Sequence, residues 1–345
     1  MGNSELAFIK AVAAMSPSHA PGLIRGIGDD CAVLSRDGDQ VLLITTDTLV
    51  ADVHFNLAWH GPYLLGRKAA AVNISDIAAM GGRPRYALLS AALSDALAEQ
   101  GLAEFMAGFT TMLGEHDVVL IGGDTVVAPQ PVFNVTLLGE MAAEQVRYRS
   151  LARVDDEVWV SGSLGQAAAG LALCEQSARV PSRFAELVSA HLDPEPRVAL
   201  GCLLAACDQV HAMMDLSDGL ATDLAHICRA SGVGADVYGR DLPLSATLRE
   251  AARYLQCEPS LWALSGGEDY ELLFTTAPGA GAELAERVHG QLGLTLSRVG
   301  RITADSEVFL TQTDGARRCI SFQGYEHHLK PAADSGRRPP DKADL

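Results

Sequence analysis

The stretch QVLLITTDTLV, residues 40–50, followed by PYLLGRKAAAVNISDIAAM at 62–80, decides the fold class. The first is an apolar run rich in Val, Leu and Ile and reads as a β-strand. The second carries apolar residues at three-to-four spacing and ends beside Gly81, as a helix packed on a sheet does. Working outward, the runs at 85–94, 117–122 and 131–141 repeat the strand pattern and 97–115 the helical one, so the first half reads as α/β. A polar, Arg-bearing stretch at 145–156 then precedes a new strand at 157–160 and the Gly-rich turn SGSLGQAAAG at 161–170. We place a domain boundary there, with an α/β domain at 1–145 and a second at 146–330. The second half has predicted helices near 163–176 and 218–231 and strands near 211–216, 234–238, 270–276 and 298–302. Residues 331–345 lack apolar periodicity and are expected to be a disordered tail.

Two domains suit the length, because 345 residues exceed the roughly 250–300 at which single cores stop growing. The chain has 43 acidic against 26 basic residues, a formal charge of −17. That argues against nucleic acid, whose affinity comes mainly from Lys and Arg on the phosphates. A small phosphorylated ligand stays open, since bound divalent ions invert the field of the carboxylates that hold them. Seven scattered cysteines without a C-x-x-C pair read as reduced thiols, and Met1 to Met15 carries Glu5 and Lys10 inside its apolar run, unlike a signal peptide. No segment approaches the roughly 20 apolar residues of a spanning helix. We therefore expect a cytoplasmic protein with no membrane partner.

Chemistry concentrates in five acidic segments: Gly28-Asp29-Asp30, Thr45-Thr46-Asp47-Thr48, Asn73-Ile74-Ser75-Asp76, Gly122-Gly123-Asp124-Thr125 and Asp215-Leu216-Ser217-Asp218-Gly219. Hard cations such as Mg²⁺ take oxygen ligands, one or two carboxylates being completed by substrate phosphates and water. Each segment also has a plain reading. Asp47 and Asp124 are expected at the ends of buried strands, where a turn or cap aspartate is ordinary. Asp76 lies in an apolar helix, where its charge needs compensation by a metal or by a buried cation, for which Arg67 and Lys68 are the nearby choices. Ser217 or Asp218 could cap a helix, which accounts for one acid of that segment and not both. Gly26-Ile27-Gly28 fails as a dinucleotide fingerprint because Cys31 stands where a third Gly is wanted. No Gly-Lys pair exists for a Walker loop, so phosphate charge falls to metals, Arg and backbone amides, those of 161–170 among them. No Ser-His-Asp or Cys-His set is evident.

Taken in order, GIGDDCAVL (26–34), TTDTLVADVHF (45–55), AVNISDIAAMG (71–81), LIGGDT (120–125), DLSDGL (215–220) and LSGGEDYELLF (264–274) resemble the thiamine-monophosphate kinases. These are a family of the aminoimidazole ribonucleotide synthetase-like superfamily, beside selenophosphate synthetases and a hydrogenase maturation protein. The resemblance runs from about Gly26 to Tyr325. It implies two α/β domains, a homodimer through N-terminal sheets, and transfer of the γ-phosphoryl of ATP to thiamine monophosphate with several Mg²⁺ ions. It implies metal ligands at Asp30, Thr45, Thr46, Asp47, Asp76, Asp124, Asp215 and Asp218. ATP contacts would be Gly123, Asp124, Arg149 and Ser217, and the thiamine side would meet His54, Glu268 and Tyr325. No general base is implied. One departure concerns Arg149, followed here by Ser150-Leu151-Ala152-Arg153 instead of a Gly-Ala-Lys-Pro-Gly-like turn, which leaves Arg147 and Arg153 as substitutes. The alternatives are another ATP-using member of the superfamily, of cyclo-ligase type, and a silent Mg-nucleotide binding protein.

Overall fold

A computed structural model describes residues 5–17, 19–95, 97–176, 179–312 and 314–324. Tyr325 and the expected tail at 331–345 lie outside the described residues. The chain divides into two units, residues 22–325 and the terminal segments, and the described helix of the latter is α1 (Glu5–Met15).

The first half of residues 22–325 runs β1 (Leu23–Arg25), β2 (Ala32–Ser35), β3 (Gln40–Val50), α2 (Pro62–Ala79), β4 (Arg83–Leu93), α3 (Ala98–Glu115), β5 (Val119–Val127) and β6 (Val132–Ala142). Its six strands lie in the order β1-β2-β3-β6-β4-β5, antiparallel except for β4 with β5. Strand β6 alternates along its whole length: Phe133, Val135 and Leu137 are buried, while Asn134, Thr136 and Leu138 are half-exposed on the other face. That period of two gives the sheet one face to cover, and α2 and α3 cover it, with Leu43, Ile74, Phe105, Phe109 and Phe133 in one core. Helix α2 is buried on nearly every side because α3 lies beside it, β3 and β6 beneath it, and α6 (Val198–Ala205) and β8 (Val210–Asp215) of the second half also reach it. An apolar surface all round is what such a site demands. Gly66 and Gly108 mark where α2 and α3 cross, since a Cβ at either would overlap a carbonyl of the other helix.

The second half runs β7 (Glu157–Ser161), α4 (Gln166–Gln176), α5 (Ala185–Leu192), α6, β8, α7 (Leu220–Ser231), β9 (Gly234–Tyr238), α8 (Ala246–Leu255), α9 (Pro259–Ser265), β10 (Leu272–Thr276), α10 (Gly281–Leu292), β11 (Leu296–Thr303), β12 (Val308–Thr311) and β13 (Arg317–Cys319). The seven strands lie in the order β13-β12-β9-β11-β7-β10-β8, with β12 and β9 the parallel pair. Both halves are thus mixed α/β layers. Among the described residues no helix is long and apolar enough to cross a membrane.

Three local expectations need correction. Asp47 and Asp124 lie within β3 and β5 and not at their ends, because Thr48-Leu49-Val50 and Thr125-Val126-Val127 continue the β-branched, apolar run and keep their ladder partners on β6 and β4. Neither Ser217 nor Asp218 caps α7: Gly219 is the N-cap, at φ 100, and the Asp223 carboxylate accepts the Asp218 and Gly219 N–H groups at 3.2 and 3.0 Å. The amides at the start of α4 are not left for a phosphate. Asp269 already accepts from Gly165 and Ala167 at 2.5 and 3.1 Å, capping the helix from a distant loop.

Candidate active site

Helix α2 gathers the acids. Its Asn73-Ile74-Ser75-Asp76 turn docks two strands, β3 through two polar groups and β8 through one. Asn73 Oδ1 accepts the Asp47 N–H of β3 at 3.0 Å, Asp76 Oδ2 accepts the Thr45 hydroxyl, and Ser75 Oγ donates to Asp215 Oδ2 of β8 at 2.6 Å. Asp30 arrives from the turn between β1 and β2. Carboxylate oxygens of Asp30, Asp76 and Asp215 lie within 4.8 Å of one another. That is the scale of one hydrated Mg²⁺, whose opposite oxygens are about 4 Å apart.

The local charge balance is unfavourable without a cation. Desolvation raises the Asp76 pKa well above the carboxylate range, and the neighbouring Asp47, Asp215 and Asp30 raise it further. Asp215 is pushed up to about 7 by burial and then by Asp30, against the Ser75 hydroxyl and Arg149, and Asp29 to about 6 by burial and then by Asp30. Asp47 rises for the same two reasons. Two guanidiniums answer these carboxyls: Arg149 grips Asp30 with Nε at 3.2 Å and a terminal nitrogen at 2.5 Å while its backbone N–H donates to Asp29 at 3.2 Å, and Arg25 pairs with Asp29 at 3.8 Å. Five carboxyls against two arginines, with oxygen donors alone, form a donor set that fits a hard divalent ion. Of the arginines considered as substitutes, Arg147 spends its guanidinium on the Ala205 and Cys207 carbonyls.

Other expected residues are held apart from this group. The Thr46 hydroxyl donates to the Val135 carbonyl at 3.1 Å. The strand register sets Asp124 in a row with Ser90, Asn134 and Thr48, on the sheet face opposite Asp47. Asp124 is exposed on the edge strand, and Gly123 beside it runs so close to β4 that a Cβ would overlap the Leu89 carbonyl. His54 follows β3, its Nδ1 accepting the Val50 N–H at 3.1 Å, which leaves the ring proton on Nε2.

Glu268 stands on the loop between α9 and β10. That loop is bound backbone to backbone to the β8–α7 turn, with the Glu268 N–H on the Ser217 carbonyl at 2.8 Å and the Tyr270 N–H on the Leu216 carbonyl at 2.9 Å. Glu268 and Tyr270 both hold left-handed backbone, at φ 68 and φ 49, which side chains with a Cβ resist and which gathers at functional loops. Gly266 and Gly267 beside them permit the approach, since a Cβ at Gly267 would meet the Ser217 carbonyl. Lys68 does not compensate Asp76, as a sequence neighbour might have done. It points away along α2 to Glu268 Oε1 at 2.8 Å.

Two residues at this site carried no role in the sequence, and a third, Lys68, carried a different one. Lys68 needed a partner 200 positions away, Asp223 resembled an ordinary first-turn acid, and Tyr270 stood within a quoted motif with no role. The Tyr270 phenol is driven well above its ordinary pKa by burial, then by Glu268, Asp47, Asp215 and Asp76. Asp223 is likewise raised by burial and by Asp218 and Asp215.

Comparison with known proteins gives one consistent picture. Models of the AIR synthase related protein family match residues 28–141, as its N-terminal domain, and 153–312, as its C-terminal domain. The chain is 40% identical over 309 residues to thiamine-monophosphate kinase of Escherichia coli strain K12, covering 89% of this chain and 92% of that one. It is similar, at a TM-score of 0.79 and 31% identity, to a solved structure described as AaThiL complexed with AMPPCP and TMP, covering 91% and 94% of the two chains. The thiamine-monophosphate kinase crystal structure from Stenotrophomonas maltophilia K279a aligns at a TM-score of 0.74 and 37% identity, over 90% and 95%.

Proposed function

The chain belongs to the thiamine-monophosphate kinase family, and on that premise we propose that it transfers the γ-phosphoryl of ATP to thiamine monophosphate, giving thiamine diphosphate and ADP. The observation that carries the reading is the oxygen-only cluster of Asp30, Asp76 and Asp215 within 4.8 Å. A relative solved with AMPPCP and TMP supports an ATP-like donor and a phosphorylated acceptor.

Asp30, Asp47, Asp76 and Asp215, with Thr45, would hold Mg²⁺. Thr46, Asp124 and Asp218, outside that cluster, are proposed as ligands of further ions carried in with ATP. Bound Mg²⁺ supplies charge neutralisation and in-line alignment. The protein's own groups do the rest. Arg149 holds the Asp30 carboxylate in place, and Gly123, Asp124, Arg149 and Ser217 are proposed to contact ATP. On the acceptor side, His54, Glu268 and Tyr325 are proposed to receive the thiamine rings, with Glu268 facing the permanent positive charge of the thiazolium. No base is needed, because a phosphate monoester with a second pKa of about 6 is already mostly the dianionic nucleophile at neutral pH.

The direct test incubates the protein with ATP, Mg²⁺ and thiamine monophosphate, and should yield thiamine diphosphate and ADP one for one. ADP without the diphosphate would overturn the reading. Glu268→Gln is expected to raise the KM for thiamine monophosphate at least tenfold and leave the KM for ATP within twofold. An equal rise in both would remove Glu268 from the acceptor side.

We further propose a cytoplasmic homodimer formed through the first sheet. Its support is the edge strand β5, where Val119, Ile121, Val126 and Val127 are between 52% and 89% exposed, an apolar row that a lone chain would have to protect. Sedimentation should give twice 36.4 kDa. A monomer at micromolar concentration would rule the dimer out.

A further inference from the structure

Lys68 is the residue that the proposed chemistry leaves without a task. It lies on α2 with no exposed surface, between two layers of the protein. A buried ammonium is tolerated only when paired and hydrogen-bonded, and a pair of well-packed apolar side chains would usually serve stability as well. Here the pairing is built with care. Lys68 Nζ stands 2.8 Å from Glu268 Oε1 and donates to the His191 carbonyl at 3.1 Å. His191 Nδ1 lies 3.0 Å from the second carboxylate oxygen, without the alignment of a full hydrogen bond. Glu268 itself sits at φ 68 with its side chain 24% exposed, so the strained carboxylate is clamped from behind and open on one side.

We propose that Lys68 is a positioning residue, fixing the Glu268 carboxylate so that the helix carrying the metal-site aspartate also sets the acceptor-side carboxylate. Lys68 and Asp76 are eight residues apart on one helix, about 12 Å along its axis. One rigid rod therefore spaces the place where phosphoryl moves from the place where a cationic ring is received. This rests on the acceptor role proposed for Glu268.

The groups facing Glu268 are Lys68 from α2, His191 from α5 and Tyr270 from its own loop, with His60 behind His191 at a ring separation of 6.2 Å. His60 is held down to about 3 by burial, then by Lys68 and His191, so it adds no charge at neutral pH. Glu268 is lowered to about 2, Lys68 and His191 overcoming the burial that would raise it. Removing the ammonium leaves His191 alone against burial and moves the carboxyl toward its neutral form.

The test compares Lys68→Met, Glu268→Gln and the double variant by initial rates of thiamine diphosphate formation. Lys68→Met should raise the KM for thiamine monophosphate at least tenfold at pH 7 with the KM for ATP within twofold. That KM should fall again as pH is raised toward 9, while the wild-type value stays flat. In the double variant, adding Lys68→Met to Glu268→Gln should change the acceptor KM less than twofold, since Lys68 acts only through the carboxylate. Independent, multiplying losses in the double variant would overturn the proposal, as would an unchanged acceptor KM in Lys68→Met. Should the single variant fail to fold with its carboxylate unpaired, the neutral double variant against Glu268→Gln decides alone. A wild-type protein that makes no diphosphate sinks the functional reading instead.

Discussion

Asp76→Asn is expected to lower turnover about a thousandfold or more while raising the melting temperature of the metal-free protein. The two effects have one cause. Asp76 is held among Asp47, Asp215 and Asp30, so its charge opposes folding until a cation arrives. Asparagine keeps the shape and can still accept the Thr45 hydroxyl, so the contact of α2 with β3 survives. What is lost is one full charge facing the ions. Unit charges about 4 Å apart interact by roughly 4 kcal/mol at an effective dielectric near 20, and each 1.36 kcal/mol is about a factor of ten in rate. The loss is therefore about three decades. A variant that turns over near the wild-type rate would show that Asp76 is no ligand, and one that melts lower would show that its role is structural. Stopped assays and thermal denaturation in EDTA make both measurements.

How much of this was legible beforehand depends on the range of the signal. The strict alternation of 132–142 and the apolar circumference of 62–79 are local facts, so β6 and α2 could be read from them. The second half was harder, because α5, α6, α8, α9 and α10 are short and their burial is decided by neighbours that the chain reaches much later. Strand β5 was cut short at Gly122 because an acid after two glycines looks like a stop, whereas hydrogen bonding to β4 carries the strand on to Val127. In the site, carboxylates could be listed but not grouped. Their division between two sheet faces follows from strand register, and a shift of one residue would have exchanged Asp47 for Thr46 or Thr48. The fates of Lys68 and Asp269 lay furthest from view. Each forms its partnership across 100 or more residues, Lys68 with Glu268 and Asp269 with Gly165, and neither partner is marked by local spacing.

Metal removal should have the larger consequence, and its pH dependence identifies which groups are responsible. In EDTA, product formation is expected to fall to background and to return with Mg²⁺. The metal-free protein should also lose stability as pH rises from about 4 to about 7. The folded-state pKa of Asp215 is raised from 3.8 to about 7 and that of Asp29 to about 6. Below pH 4 these groups are protonated in both folded and unfolded chains and contribute no difference. Between the two values the unfolded chain releases protons that the fold retains, so stability declines with rising pH and levels off above the folded pKa. Mg²⁺ displaces those protons, which makes its binding tighter at higher pH and its stabilisation largest there. The rise in melting temperature on adding Mg²⁺ should therefore be several-fold greater at pH 8 than at pH 5. The general repulsion of a chain carrying −17 also grows with pH, but Asp76→Asn separates the two contributions. That variant keeps the global charge nearly intact and should flatten both the slope and the Mg²⁺ effect. If the Mg²⁺ shift is the same at both pH values, or if activity persists in EDTA, the aspartate cluster is not where the ions bind.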